Sequence, residues 1–236
     1  RNRLGENWGS FVRLGTTRDN SSSTGAFPGY FRTVQNQATW QNDFGTPIGT
    51  VVAGLEYLDQ SVASSTPYEQ TGRTVKSAFA GYQGSYGPHA LQLNARRDDN
   101  SQYGGQSTGS AGYSYRFDSG LHARASAGTA FKAPTFNDLY FPDLAPFFFS
   151  NPNLLPERSR SKEAGVDYDG AKQYFSATLF RNDISDLITV YTDPATFVST
   201  TQNLNSARIE GLELAWRGEL PGWQTRAQLT VQDPRD

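Results

Sequence analysis

The chain has 236 residues, with 23 acidic against 21 basic and no cysteine. That balance leaves no basic footprint for nucleic acid, and the missing thiols exclude a disulfide scaffold, a thiolate metal site and a cysteine nucleophile. Hydrophobic residues reach only 36% while aromatics reach 13%, against roughly 45–50% apolar residues in a soluble globular domain. An outer-membrane barrel combines these features because it needs apolar side chains on its lipid face alone; a secreted β-solenoid also can. No run approaches the ~18 apolar residues of a membrane-spanning helix. The chain starts at Arg1 with no signal peptide, which reads as a mature or excised segment.

In chain order the hydrophobic period is two almost throughout. It predicts about eleven strands near 7–17, 29–42, 48–60, 74–86, 89–98, 109–117, 121–132, 160–169, 172–183, 203–218 and 223–232. Most reach the ~9–11 residues that a tilted strand needs to cross a bilayer. Connections at 43–47, 87–88, 118–120, 170–171 and 219–222 are short and hold the Gly, Pro and Asp that reversals require. Those at 18–28, 61–73, 99–108, 133–159 and 184–202 are long. Sorting of short and long connections is the habit of bacterial membrane barrels, with short turns inside and long loops outside. A soluble sandwich with one solvated face has the same alternation of faces but no reason to sort its loops.

The faces follow from the alternation. Ala111, Tyr113, Tyr115 and Phe117 share one face of their strand, Gly112, Ser114 and Arg116 the other. Leu121, Ala123, Ala125, Ala127 and Phe131 oppose His122, Arg124, Ser126 and Lys132; Ala164, Val166 and Tyr168 oppose Glu163, Gly165 and Asp167. Tyr113, Tyr115 and Val166 are therefore assigned to lipid, and Arg116, Arg124 and Asp167 to a wet lumen. Tyr30, Phe31, Trp40, Tyr57, Tyr115, Phe117, Trp216 and Trp223 gather at strand ends. Interfacial girdles would place them there, as would the ordinary β-propensity of aromatics.

Four segments carry a family resemblance: Gly128-Thr129-Ala130-Phe131-Lys132-Ala133-Pro134-Thr135-Phe136-Asn137-Asp138-Leu139-Tyr140; Asn151-Pro152-Asn153-Leu154 with Pro156-Glu157-Arg158-Ser159; Phe180-Arg181-Asn182-Asp183-Ile184-Ser185-Asp186-Leu187-Ile188; and Ala207-Arg208-Ile209-Glu210-Gly211-Leu212-Glu213-Leu214. In this order and spacing the chain resembles the barrel of the TonB-dependent outer-membrane receptors, above all the cobalamin receptors. The resemblance implies an all-β antiparallel transmembrane barrel in a Gram-negative outer membrane, in contact with its lipid. It implies a receptor rather than an enzyme, importing a large scarce nutrient with energy delivered through TonB. By the same likeness the chain is a middle piece of a barrel, without the plug domain, the TonB-binding segment or the C-terminal strands.

Each motif also has a physical reading. Pro134 stops a strand because it cannot donate to the ladder, and Asn151-Pro152-Asn153 with Pro156 stiffens the far side of the same loop. The 133–159 loop carries Phe136, Tyr140, Phe141, Phe147, Phe148 and Phe149 beside Asn151. So many rings in a loop mark a binding surface, or they pack on neighbouring loops or a plug. The likeness around Lys-Ala-Pro and Asn-Pro-Asn-Leu selects cobalamin as cargo, with a ferric siderophore or haem as the alternative. An outer-membrane barrel enzyme is the alternative from another class, for which His89 and His122 in separate strands are poor material. Asp19, Asp98 and Asp99 offer hard oxygens to calcium, which favours such residues and which the resemblance allows in outer loops, although their spacing matches no calcium motif.

Overall fold

The computed structural model of the protein describes residues 2–25, 28–204 and 206–235. Arg1, Ala26 and Phe27 of the expected 18–28 connection, Asn205 of the expected 203–218 strand, and Asp236 lie outside the described residues. The elements in order are β1 (Asn2–Gly5), β2 (Trp8–Ser23), β3 (Gly29–Thr46), β4 (Gly49–Ser64), β5 (Gly72–Tyr86), β6 (His89–Asn100), β7 (Gly104–Arg116), β8 (Leu121–Lys132), α1 (Phe136–Tyr140), β9 (Phe148–Phe149), β10 (Glu157–Asp169), β11 (Gln173–Ser185), β12 (Ile188–Thr192), β13 (Ser199–Asn203), β14 (Ser206–Leu220) and β15 (Trp223–Arg235). Twelve of the strands form one antiparallel meander in the order β1-β2-β3-β4-β5-β6-β7-β8-β10-β11-β14-β15, open at its two edges; β12, β13 and β9 form a separate small sheet. No helix among the described residues is long and apolar enough to cross a membrane.

All eleven expected strands form, and β1 adds a twelfth too short to show a period of two. The long connections need correction. β2 runs through Ser23, so the expected 18–28 connection is mostly strand; β6 and β7 leave only 101–103 between them, and β4 and β5 leave 65–71. Polar residues such as Arg18, Asp19 and Asn20 read as loop, yet each pairs across to β3. Outside a bilayer both faces of a hairpin meet water, so polar side chains on both faces cost a strand nothing while its ladder stays paired. Only the connections after β8 and after β11 are long, and they hold α1, β9, β12 and β13.

Cross-strand register fixes the two faces of the sheet. Tyr115, Ala123, Val166, Ala177, Leu214 and Leu229 are successive partners across six strands. They lie on the face assigned to lipid. The next rung, Arg116, His122, Asp167 and Ser176, points the other way. There the Arg124 guanidinium donates to Asp167 at 2.9 Å and to the Thr178 hydroxyl at 2.6 Å, while Ser176 donates to Asp167 at 2.6 Å. Further round on this polar face Arg96 bridges Glu56 and Asp98 at 2.7 and 2.8 Å, and Ser77 donates to Asp98. Charges laid out in such chains need a wet face. Leu179 and Leu229 on the apolar face stay 62% and 56% exposed, and Leu14, Leu55 and Val166 are exposed beside them. An apolar surface this extended is stable only against lipid or a partner.

The apolar face is bounded at both ends. Near the short turns Tyr168, Phe175 and Trp216 form one cross-strand rung, and Trp223 stands exposed beyond it. Towards the long connections the side chains become charged within one rung: Lys162, Arg181, Glu210 and Asp233 are successive partners, as are Lys76 and Asp99 further round. The apolar stretch of β14 from Leu220 to Leu212 is about 26 Å along the strand, close to the ~25 Å apolar band of membrane barrels before tilt shortens it. Two glycines permit close packing on the polar face. A Cβ at Gly211 would collide with the Phe180 ring and the Val231 carbonyl, and one at Gly54 with the Phe79 ring.

The two faces give opposite responses to the same substitution. In the complete protein Val166→Arg places a cation in the middle of the apolar band and should lower folding stability by about 2–4 kcal/mol. Ser126→Arg, on the polar face opposite Glu163, should fold as the parent does. Refolding into lipid vesicles against urea measures both.

Candidate ligand-binding loop

The 133–156 connection is a built structure anchored on the polar face. It leaves β8 at Lys132 and re-enters at Glu157, and an ion pair of 3.1 Å between these two residues closes its base. Pro134 and Pro156, just inside the pair, are fully buried. Thr135 caps α1: its hydroxyl accepts from the Asp138 backbone N–H while the Asp138 carboxylate accepts from the Thr135 N–H. This reciprocal cap satisfies donors that a one-turn helix would otherwise leave open.

Phe136, Leu139 and Tyr140 of α1 form the buried core of this region with Leu154 and Val62, and Phe31, Tyr68 and Ile188 pack round them. The Arg73 guanidinium lies 4.8 Å from the centroid of the Phe136 ring, donates to the Pro134 carbonyl at 2.7 Å and to the Gln60 side chain at 2.7 Å. It ties the loop to β4 and β5. Tyr68 donates to Asn137 at 2.6 Å and its ring meets those of Phe31 and Phe141. Burial pushes the Tyr68 and Tyr140 hydroxyls above the usual phenol range, so both remain protonated donors.

The core is joined to the β12–β13 hairpin. Glu157 accepts from the Ile188 backbone N–H at 3.0 Å as well as from Lys132. The Asn151 amide donates to the Thr201 carbonyl, and Asn203 both donates to the Leu155 carbonyl and accepts from its N–H. β9 adds in parallel to β13 through Phe148↔Ser199 and Phe149↔Thr200. At the hairpin tip the Asp193 carboxylate accepts from the Ala195 N–H at 2.8 Å, which holds it below the usual carboxylate range. Phe197 sits there with φ 57, a left-handed backbone uncommon outside glycine, and its ring is 73% exposed.

The expected loop residues thus separate. Phe136 and Tyr140 are buried in the core of the loop and Asn151 braces it against the hairpin, so these three shape the loop. Phe141 and Phe148 are half-buried and meet edge to face at 5.8 Å. Phe147 is 70% exposed, and Phe149 is exposed beside it. Val190, Tyr191 and Phe197 on the neighbouring hairpin and Leu144 before β9 are exposed as well. Sequence reasoning missed this second group because 184–202 carried no cluster of rings, although Asp193-Pro194 marks its turn.

The structure does not assemble the other candidates. Asp98 and Asp99 are consecutive in a strand, so they face opposite sides, and Asp98 is held by Ser77 and Arg96. Asp19 pairs with Thr33 on a distant part of the sheet. No group of three or more His, Asp or Glu side chains suited to a metal occurs among the described residues. His89 shares the apolar face with Tyr115 and lies 2.6 Å from the Tyr113 hydroxyl, whereas His122 pairs with Arg116 and Asp167 on the polar face.

Glu157 is the side chain on which both halves of the site close. Glu157→Ala leaves the Ile188 N–H without its acceptor, which should destabilise the loop by about 1–3 kcal/mol. Limited proteolysis of the complete protein should then cut within 187–204 many times faster than in the parent, with the sheet itself intact.

Known proteins of similar sequence and fold point the same way. The family model described as TonB dependent receptor-like, beta-barrel matches residues 1–235. The vitamin B12 transporter BtuB of Vibrio vulnificus is 31% identical over 207 residues, 86% of this chain and 33% of that protein. The vitamin B12 transporter BtuB of Photobacterium profundum is 33% identical over 188 residues, 78% of this chain and 30% of that protein. The chain therefore spans about a third of the length of these curated relatives. Among solved structures it is similar in fold to the siderophore receptor PirA from Pseudomonas aeruginosa (TM-score 0.73, 18% identity, 98% of this chain and 53% of that one). It is also similar to the copper transporter OprC (TM-score 0.75, 16% identity, 99% of this chain and 45% of that one). By name these relatives are transporters and receptors, not enzymes.

Proposed function

Because the chain belongs to the TonB-dependent receptor β-barrel family, we propose that it forms part of the wall and the outer mouth of a receptor in a Gram-negative outer membrane. That receptor captures cobalamin outside the cell and passes it inward with energy from TonB. The observation that carries the cargo is the 31–33% identity to two vitamin B12 transporters, extending over most of this chain. The exposed rings of the small β9–β12–β13 sheet support it. A corrinoid is large and amphipathic, and burying apolar surface on rigid rings supplies affinity at little cost in conformational entropy. The anchoring of the loop by Arg73, Glu157 and Asn203 keeps these rings in place before a ligand arrives. The likeness to a siderophore receptor, at 18% identity, concerns fold alone and gives a ferric chelate no comparable support.

The test uses the complete receptor in detergent. Phe147→Ser together with Phe197→Ser should weaken cobalamin binding about tenfold or more, since covering each ring contributes on the order of 1–2 kcal/mol, and should leave the melting temperature unchanged. Isothermal titration with cobalamin, haem and a panel of ferric siderophores separates the outcomes. Tight binding of a ferric chelate with no response to cobalamin overturns the cargo; cobalamin binding unaffected by the double variant removes this sheet from the site.

A further inference from the structure

The polar face of the sheet carries a hollow of about 760 Å³ between β4 and β7. Register explains its shape. Thr50, Gln83 and Gln92 form one rung on this face, and Val52, Gly81, Asn94 and Ser110 form the next. Phe79, Arg96 and Thr108 close it on the side of the long loops. Gly81 leaves the middle of the second rung without a side chain, so the wall sinks there; a Cβ would stand 2.9 Å from the Asn94 Oδ1. Gln92 lies about 27 Å along β6 from Asn100 at its outer end, towards the short turns. The lining is almost uncharged. Arg96 is its one ionic side chain among the described residues, and Glu56 and Asp98 already hold it at 2.7 and 2.8 Å. Asn94 donates to the Ser110 hydroxyl at 3.0 Å, which leaves its Oδ1 an open acceptor. The Gln83 and Gln92 amides hold no hydrogen bond among the described residues. The hollow thus offers hydrogen bonds of both senses beside one half-buried ring, Phe79, and presents no free charge.

We infer that this hollow is a transit site on the inner wall, which seats one edge of a neutral ligand rimmed with primary carboxamides after it leaves the mouth. A corrinoid ring has such a rim, so the inference rests on the cobalamin reading above and extends it from capture to passage. Carboxamides and the side chains of Asn and Gln are reciprocal, each donating through its NH₂ and accepting through its oxygen. Phe79 and Val52 supply apolar contact to the edge of the ring, in the usual mixture of apolar lining and a few polar groups. An anionic chelate finds no free cation here, because Arg96 is already paired. Each new hydrogen bond replaces one to water and contributes modestly. Weak holding suits a site that a ligand must enter and then leave.

Cells expressing the complete protein test it with labelled corrinoids, binding being read in de-energised cells and uptake in energised ones. Gln83→Leu with Gln92→Leu should bind cobalamin as the parent does and import it about tenfold more slowly. Gln228→Leu, on the polar face outside the hollow and opposite Ala215, should change neither. Gln92→Lys should slow neutral cobalamin and favour a cobalamin monocarboxylate, raising the ratio of their uptake rates severalfold. Equal uptake by the double variant and the parent overturns the transit site. Equal slowing of both corrinoids by Gln92→Lys would make the hollow a contact for another part of the protein and overturns it too. Weaker binding at rest by the double variant would move the hollow into the capture site, against the inference. A parent that binds no cobalamin fails the cargo reading and takes this inference with it, an outcome distinct from the other three.

Discussion

A chain that crosses lipid must satisfy every backbone N–H and C=O within itself, because no water is there to accept or donate. The long paired strands of this protein answer that demand. From β2 to β15 each long strand pairs with the next long strand in sequence, over most of its length except between β7 and β8, where Ser110–Arg116 of β7 carry the pairing. The same demand forces the side chains into a strict alternation, since each residue in a ladder belongs to one face or the other. One face can then be given to lipid and the other to water, which is why so few hydrophobic residues suffice. It also explains why charges such as Arg124, Asp167, Glu56 and Arg96 occur in the middle of strands without disrupting them.

The loop region obeys a different rule. Outside the membrane nothing forces residues into a ladder, and the 133–156 connection folds round a small core instead. That core is built partly from the barrel wall, with Val62 and Phe31 supplied by β4 and β3. The fixed spacing of the wall thus sets the position of the loop, and the buried Glu157 carries it on to the β12–β13 hairpin. A surface assembled this way resists collapse of its rings onto one another, and exposed phenylalanines otherwise tend towards that collapse. Phe147 and Phe197 remain at the surface because the side chains around them are held elsewhere.

Much of this was legible in the sequence. The eleven long strands, the short turns and the facing of Tyr115, Val166, Arg124 and Asp167 follow from the period of two and from Gly, Pro and Asp at reversals. The ends of the outer hairpins were not. Arg18, Asp19 and Asn20 have low β-propensity, and a polar strand standing in water looks like a loop until its partner strand is placed beside it. The loop was legible in outline only. A cluster of rings announces that a segment is either a core or a binding surface, and composition cannot divide Phe136 from Phe147. What divides them is the cap on α1 and the reach of Arg73 across 61 positions, a contact that only the fold creates. The opposed Lys162 and Arg181 were hidden for the same reason: they become neighbours through the register of β10 and β11.

The central claim is that the alternation of this sheet separates lipid from a wet interior, with a sharp boundary at the charged rung. Spin labels placed one at a time from 174 to 183 on β11 of the complete receptor in outer-membrane vesicles test it directly, by comparing collisions with oxygen and with a water-soluble nickel chelate. Labels at 175, 177 and 179 should be reached by oxygen, those at 176, 178 and 180 should not, and 181 and 183 should become open to the nickel chelate. Oxygen access at the even positions, or an unbroken lipid signal through 183, would contradict both the facing and the level assigned to the membrane.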